Sequence, residues 1–199
     1  MKTILIATNN QHKVEEFQQM LQPYGYNVKS LKDVGIDMDV EETGTTFQEN
    51  AMLKARACYE YVKIPVLADD SGFSVNALNG EPGIYSARYL GKDTSYDIKC
   101  QHIIELCENA SDRGCVYTCA IAYIDELGKE HIFTGVLNGE VAKKIEGKNG
   151  FGYDPIFYYE PLQTTLANVT DEEKNAISHR RKALEQVLTY IKEDTSCCI

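Results

Sequence analysis

The chain has 199 residues, 43% hydrophobic and 25% charged, an ordinary globular composition with enough length for a substantial core. Its formal net charge of -10 argues against a nucleic acid polymer as partner, though a few local Lys and Arg can still hold a small anion. No stretch approaches the roughly 20 apolar residues of a transmembrane helix, so no membrane association is expected.

Met1 to Ala7 is too short an apolar run for a secretory leader. The seven cysteines include no metal-like CxxC; Cys115 and Cys119 fall in a predicted strand, and Cys197-Cys198 read as exposed thiols. Reduced thiols in a cytoplasmic protein fit this pattern.

In chain order, Thr3-Ile4-Leu5-Ile6-Ala7 predicts a buried strand, followed by the polar turn Thr8-Asn9-Asn10-Gln11-His12-Lys13. A helix pattern then places Val14, Phe17, Met20 and Leu21 on one face. A strand, a polar turn and a helix start aim backbone N–H groups and a lysine at an anion. Glycine is absent and the spacing is wrong for a Walker loop, and the plain alternative is an Asn-capped turn. Gly25 to Leu31 predicts a second strand, and Glu41-Glu42-Thr43-Gly44 a loop. Thr46-Phe47-Gln48-Glu49 has the form of a capping box, opening a helix to about Val62 that stops before Pro65. Phe47, Ala51, Leu53, Ala55 and Cys58 form its apolar stripe, while Lys54 alone reads as a solvated residue.

Val66-Leu67-Ala68 predicts a buried strand ending on Asp69-Asp70-Ser71-Gly72. Alternation sends the two carboxylates to different faces, and Gly72 lets the chain turn after them. Such carboxylates suit holding a divalent cation or deprotonating a water, against the simpler reading of an Asp-Ser-Gly turn. A tight connection with Gly80, Pro82 and Gly83 leads to Arg88, which suits a phosphate or a surface acid. A helix from Thr94 to about Glu108 is expected to turn Ile98, Ile103, Ile104 and Leu106 inward.

Cys115 to Ile124 and His131 to Leu137 predict a long hairpin about Asp125-Glu126-Leu127-Gly128, with Gly139-Glu140-Val141 extending it. Gly147 to Pro155 is dense in glycine and aromatics, the composition of a lid or of a stacking site for a flat ligand. Thr170-Asp171-Glu172-Glu173 predicts a second capping box, and the last helix carries Ala183, Leu184, Val187, Leu188 and Ile191.

Three complementary sets result. Thr8 to Lys13, Lys54, Lys174, His179 and Arg180 suit an anion; Glu42, Asp69 and Asp70 suit a cation or a base; Phe151 and Tyr153 offer flat faces beside Asp154. A nucleoside triphosphate with Mg2+ satisfies all three.

These residues stand in ADDSGFSVNALNGEPGIYSARY (68–89), FGYDP (151–155), EEKNAISHR (172–180) and GTTFQENAMLKA (44–55). From Ile4 to about Leu188 the chain resembles the inosine/xanthosine triphosphate pyrophosphatases, which clear non-canonical purine nucleotides. The resemblance implies an elongated α/β fold of two lobes, residues 1–199 as one domain, with a long mixed β-sheet flanked by helices and a central substrate cleft. It implies a cytoplasmic, Mg2+-dependent homodimer that hydrolyses ITP, dITP and XTP to the monophosphate and pyrophosphate. By the same resemblance, Thr8, Asn9, Asn10, Gln11, His12, Lys13 and Lys54 hold the triphosphate. Glu42 and Asp70 serve the metal, Asp70 is also the base, and Ser71 touches the substrate. Phe151, Gly152, Tyr153 and Asp154 stack on and read the base, with Lys174, His179 and Arg180 completing base and phosphate contacts. Many family members carry glycine where this chain has Asn9 and His12, which puts the first loop's geometry in question. The rival expectations are a pyrophosphatase for other modified nucleotides and a non-catalytic nucleotide- or RNA-binding module.

Overall fold

The computed structural model describes residues 2–196; Cys197 and Cys198 lie outside the described residues. The chain begins with β1 (Lys2–Ile6), α1 (Gln11–Leu21), β2 (Tyr26–Ser30) and α2 (Phe47–Val62). It continues through β3 (Val66–Val75), β4 (Pro82–Gly83), α3 (Tyr96–Leu106), β5 (Gly114–Ile124) and β6 (Glu130–Val141). It closes with β7 (Phe157–Tyr159), β8 (Thr164–Thr165), α4 (Asp171–Ile177) and α5 (His179–Ser196). The strands form one mixed eight-stranded sheet in the order β2-β1-β3-β5-β6-β7-β8, with β4 paired to β3. β1 runs parallel to β2 and β3, whereas β4 on β3, β7 on β6 and β8 on β7 are antiparallel. No helix among the described residues is long and apolar enough to cross a membrane.

The chain divides into two compact units, one of residues 1–70, 119–135 and 180–199, the other of 71–118 and 136–179. In the first unit, alternation along the strands separates two apolar layers. Ile4, Ile6, Leu67, Cys119 and Ile121 pack against Phe17, Met20 and Leu21 of α1 and Ala183, Leu184, Val187 and Leu188 of α5. Leu5, Val66, Ala68, Ala120 and Ala122 pack on the other side against Ala51, Met52, Ala55 and Cys58 of α2. The second unit has a core of Phe73, Val75, Cys100, Ile103, Tyr117, Leu137, Tyr153 and Phe157.

Several local expectations are corrected. β3 does not end at Ala68, because Phe73 and Val75 resume the buried alternation beyond Gly72 and the Phe73 N–H donates to Ser86 Oγ at 2.8 Å. Ile98 and Leu106 are exposed, since α3 buries the stripe of Lys99, Cys100 and Ile103 instead. Lys99 is tolerated there because its Nζ donates to the Ala87 carbonyl at 2.8 Å. At α2 Thr46 caps the Glu49 N–H, and the Glu49 carboxylate also accepts from the Thr45 N–H and hydroxyl. The box at Thr170–Glu173 is complete.

Cys58, Cys100, Cys107, Cys115 and Cys119 are all free and buried. Burial pushes the Cys58 thiol up to about 11 and those of Cys100 and Cys119 to about 12, far from the reactive thiolate. A Cys197→Ser/Cys198→Ser variant is therefore expected to resist DTNB at about pH 8 until denaturant is added. Rapid reaction of the native variant would contradict this packing.

Candidate active site

The site in the first unit begins with the parity of β3. Asp69 shares the face of Leu67, toward α1 and α5, and Asp70 shares the face of Val66 and Ala68, toward α2. Each helix layer then delivers its own partners.

On the α1/α5 side, Lys13 Nζ stands 2.9 Å from Asp69 Oδ2 and Arg180 Nη2 stands 3.1 Å from the same oxygen. Arg180 also pairs with Glu16, one helical turn beyond Lys13 on α1. Asp69 is 0% exposed and Arg180 1%. Burial alone would raise the Asp69 carboxyl, but Lys13 and Arg180 outweigh it and hold the group well below the usual carboxylate range. Arg180 is correspondingly raised: burial opposes its charge, and Asp69 and Glu16 overcome that penalty.

On the α2 side, Asn50 and Lys54 are four residues apart and so share a face. Lys54 Nζ lies 2.8 Å from Glu42 Oε1 and 3.4 Å from Asp70 Oδ1. Burial would lower Lys54, yet Asp70, Asp69 and Glu42 raise it, so the ammonium stays charged. Burial raises the Asp70 carboxyl from its ordinary value, a shift that Lys54 and Lys13 oppose and Glu42 and Asp69 reinforce. Asn50, 0% exposed, joins the two acidic positions: its Nδ2 donates to Asp70 Oδ2 at 3.3 Å and its Oδ1 accepts from the Gly44 N–H at 2.8 Å.

The turn before α1 is Asn-capped, with Asn10 Oδ1 accepting from the His12 and Lys13 N–H groups. Thr8 Oγ1 accepts from the Asn10 N–H, and Asn9 Nδ2 donates to the Met38 carbonyl at 2.9 Å. Neither Asn9 nor His12 has positive φ. This backbone asks for no glycine there, so the loop accepts both residues without strain. Gln11 and His12 are exposed in the first turn of the helix.

The second unit holds a separate polar group. Asp154 is buried and accepts from Lys174 Nζ and the Phe151 N–H, both at 2.8 Å, and from Tyr117 OH at 3.2 Å. Lys174 also lies over the half-buried Phe151 ring, 4.3 Å from its centroid. His179 stacks on Tyr117 with centroids 4.7 Å apart. Gly150 has φ +70°, and a Cβ there would run into the buried Asp154 carboxylate, so this turn admits only glycine. Gly152, also at φ +70°, carries the chain on to Tyr153. Tyr153 is 2% exposed, stacked on Phe73 at 4.9 Å with its hydroxyl on the Ser86 carbonyl, so it is a core support rather than an open face.

Lys13, Lys54, Glu42 and Asp70 of the expected site thus gather in the first unit, while Phe151, Asp154, Lys174 and His179 gather in the second. Arg180 goes with the first set and not with its chain neighbour His179. Two of the unit boundaries fall between Asp70 and Ser71 and between His179 and Arg180, within the two richest motifs. Asn50, Glu16 and Tyr117 were not singled out from the sequence. Asn50 was detectable as a polar residue on the apolar stripe of α2, whereas nothing local marks the other two.

A model of the Ham1 family matches residues 4–190. The chain is 43% identical to a dITP/XTP pyrophosphatase of Staphylococcus aureus, with 98% of each chain covered. It is also 43% identical to a dITP/XTP pyrophosphatase of Thermoanaerobacter pseudethanolicus, over 94% of this chain and 96% of that one. The solved structure of the Staphylococcus aureus Ham1 protein superposes with a TM-score of 0.87 at 41% identity, covering 97% of this chain and all of that one. A Ham1 protein from Coxiella burnetii superposes with the same TM-score at 42% identity, with the same coverage. This chain belongs to the Ham1 family.

Proposed function

We propose that the chain hydrolyses the non-canonical purine triphosphates ITP, dITP and XTP to the monophosphate and pyrophosphate, removing them from the nucleotide pool. The observation that carries this reading is the Lys54 ammonium between Glu42 and Asp70, 2.8 and 3.4 Å away, in the same unit as the capped α1 turn. Relatives named dITP/XTP pyrophosphatase over nearly the full chain support the substrate class.

Mg2+ is the cofactor in this reading. Among the described residues, the carboxylates of Glu16, Glu42, Asp69 and Asp70 pair with Lys13, Lys54 and Arg180. A triphosphate would meet net negative charge there unless a divalent cation came with it. Glu42 and Asp70 are hard oxygen donors, and a pair of carboxylates is what Mg2+ takes from a protein when phosphates and waters complete its shell. When bound, the ion neutralises phosphate charge and makes nearby water more acidic.

The chain's own groups supply the rest. Asp70 takes the proton of the water that attacks the α-phosphorus. Pyrophosphate leaves as an anion, so positioning and charge neutralisation matter more than a general acid. Lys13 and Lys54 face the phosphates, with Thr8, Asn9, Asn10, Gln11 and His12 around them at the start of α1. Arg180 fixes Asp69 and through it Lys13. Ser71 touches the substrate. The base stacks on Phe151 over Gly152, with Tyr153 as the support beneath, and meets Asp154, Lys174 and His179. A site that pairs with a 6-oxo and N1–H edge disfavours the 6-amino group of ATP, because partners are left unpaired. Rejection of GTP then depends on a wall against the 2-amino group. Residues 1–199 act as one domain, in a cytoplasmic homodimer.

Pyrophosphate release from ITP and XTP is expected to stop with EDTA, to return with Mg2+, and to exceed release from ATP and GTP by about 100-fold or more. Equal turnover of all four nucleotides, or turnover without metal, would overturn the assignment. Asp70→Asn should lower kcat on ITP by about 100-fold or more while keeping stability within about 1 kcal/mol of the parent. Asp69→Asn should instead lose about 3 kcal/mol in denaturant titration, because it takes the counter-charge from half-buried Lys13 and one of two acids from buried Arg180. If Asp69→Asn proved as stable as the parent, its role as the buried counter-ion would be wrong.

A further inference from the structure

We infer that Tyr117 is a positioning residue for base recognition, acting through Asp154 and His179 together. This rests on the reading of those two residues as base contacts. Tyr117 comes from β5, Asp154 from the glycine-rich turn and His179 from the first turn of α5, so no local sequence signal connects them.

Asp154 Oδ2 is already shared by Lys174 Nζ and the Phe151 N–H at 2.8 Å each, and Tyr117 OH donates to the other oxygen, Oδ1, at 3.2 Å. With both oxygens engaged, the carboxylate plane cannot rotate without breaking a buried hydrogen bond. The same phenol ring stacks on His179, with centroids 4.7 Å apart and planes 15° from parallel. It stacks on Phe157 at 4.6 Å and 8°, and it is tilted against Phe73 at 5.4 Å. Phe73 and Phe157 belong to β3 and β7 of the second unit's core, so the ring is held by the sheet and in turn holds the imidazole. One side chain thereby ties the orientation of an acceptor to that of an aromatic donor or acceptor, which is what reading a purine edge requires. A merely packed tyrosine would use the ring alone; here the hydroxyl and the ring have separate targets.

Steady-state kinetics of Tyr117→Phe and Tyr117→Leu on ITP and ATP separate the two uses, with Asp154→Asn as a parallel variant and the His179 ring signals followed by NMR. Tyr117→Phe is expected to raise KM for ITP about tenfold, keep kcat within about twofold, and reduce the preference for ITP over ATP. The ring-current-shifted His179 signal should persist in Tyr117→Phe and disappear in Tyr117→Leu. Wild-type KM and preference in Tyr117→Phe, while Asp154→Asn raises KM, would remove Tyr117 and leave the base assignment standing. If Asp154→Asn also leaves KM unchanged, the base assignment fails and this inference falls with it. A lowered Tm with unchanged KM in both Tyr117 variants would make the residue purely structural, and that too would overturn the proposal.

Discussion

The alternation of side chains along β3 is the constraint on which the first unit's polar architecture depends. Two consecutive aspartates at the same depth in a sheet cannot share a face, so each inherits the helix layer behind it. Asp69 meets α1 and α5 and receives Lys13 and Arg180; Asp70 meets α2 and receives Asn50 and Lys54. A slip of one residue in β3 would exchange the two environments. The parallel register of Leu5 with Val66 and Ile6 with Leu67 holds it in place.

The two environments have opposite electrostatic consequences. Asp69 is buried as an anion whose cost is offset by two cations, an arrangement that is costly to break and contributes little reactivity. Asp70 is buried with less compensation, so its charge is disfavoured and its basicity rises. The fold thus sustains a destabilised carboxylate next to a stabilised one on a single strand. Asn50 links Asp70 to the Glu42 loop through the Gly44 N–H.

In the second unit the organising interaction is the convergence of donors on Asp154. Gly150 allows the turn to close on the carboxylate, Lys174 reaches it from α4, and Tyr117 reaches it from the sheet. The aromatic stack of Phe73, Tyr117, Phe157 and Tyr153 gives this group a stiff backing. Phe151 alone among the turn's aromatics keeps part of its ring outside the core.

Local patterning determined much of this protein by itself. The buried strands, the caps at Thr46 and Thr170, the divergence of Asp69 and Asp70, and the long β5–β6 pair all follow from period, turn chemistry and capping, which act over a few residues. The roles expected of Lys13, Glu42, Lys54, Asp70 and Asp154 came instead from the family resemblance. What only tertiary structure decided is which partners those groups meet. Lys54 reads as a surface lysine until Glu42 and Asp70 are brought to it from 12 and 16 residues away, and Arg180 reads as a companion of His179 until Asp69 and Glu16 claim it. Ile98 and Leu106 read as core until α3 buries Lys99 instead, and Gly72 reads as a turn until Phe73 and Val75 continue the strand. The reason is the same in each case: periodicity ranks faces by average hydrophobicity, whereas the burial of a charge depends on a specific counter-group that arrives from elsewhere in the chain.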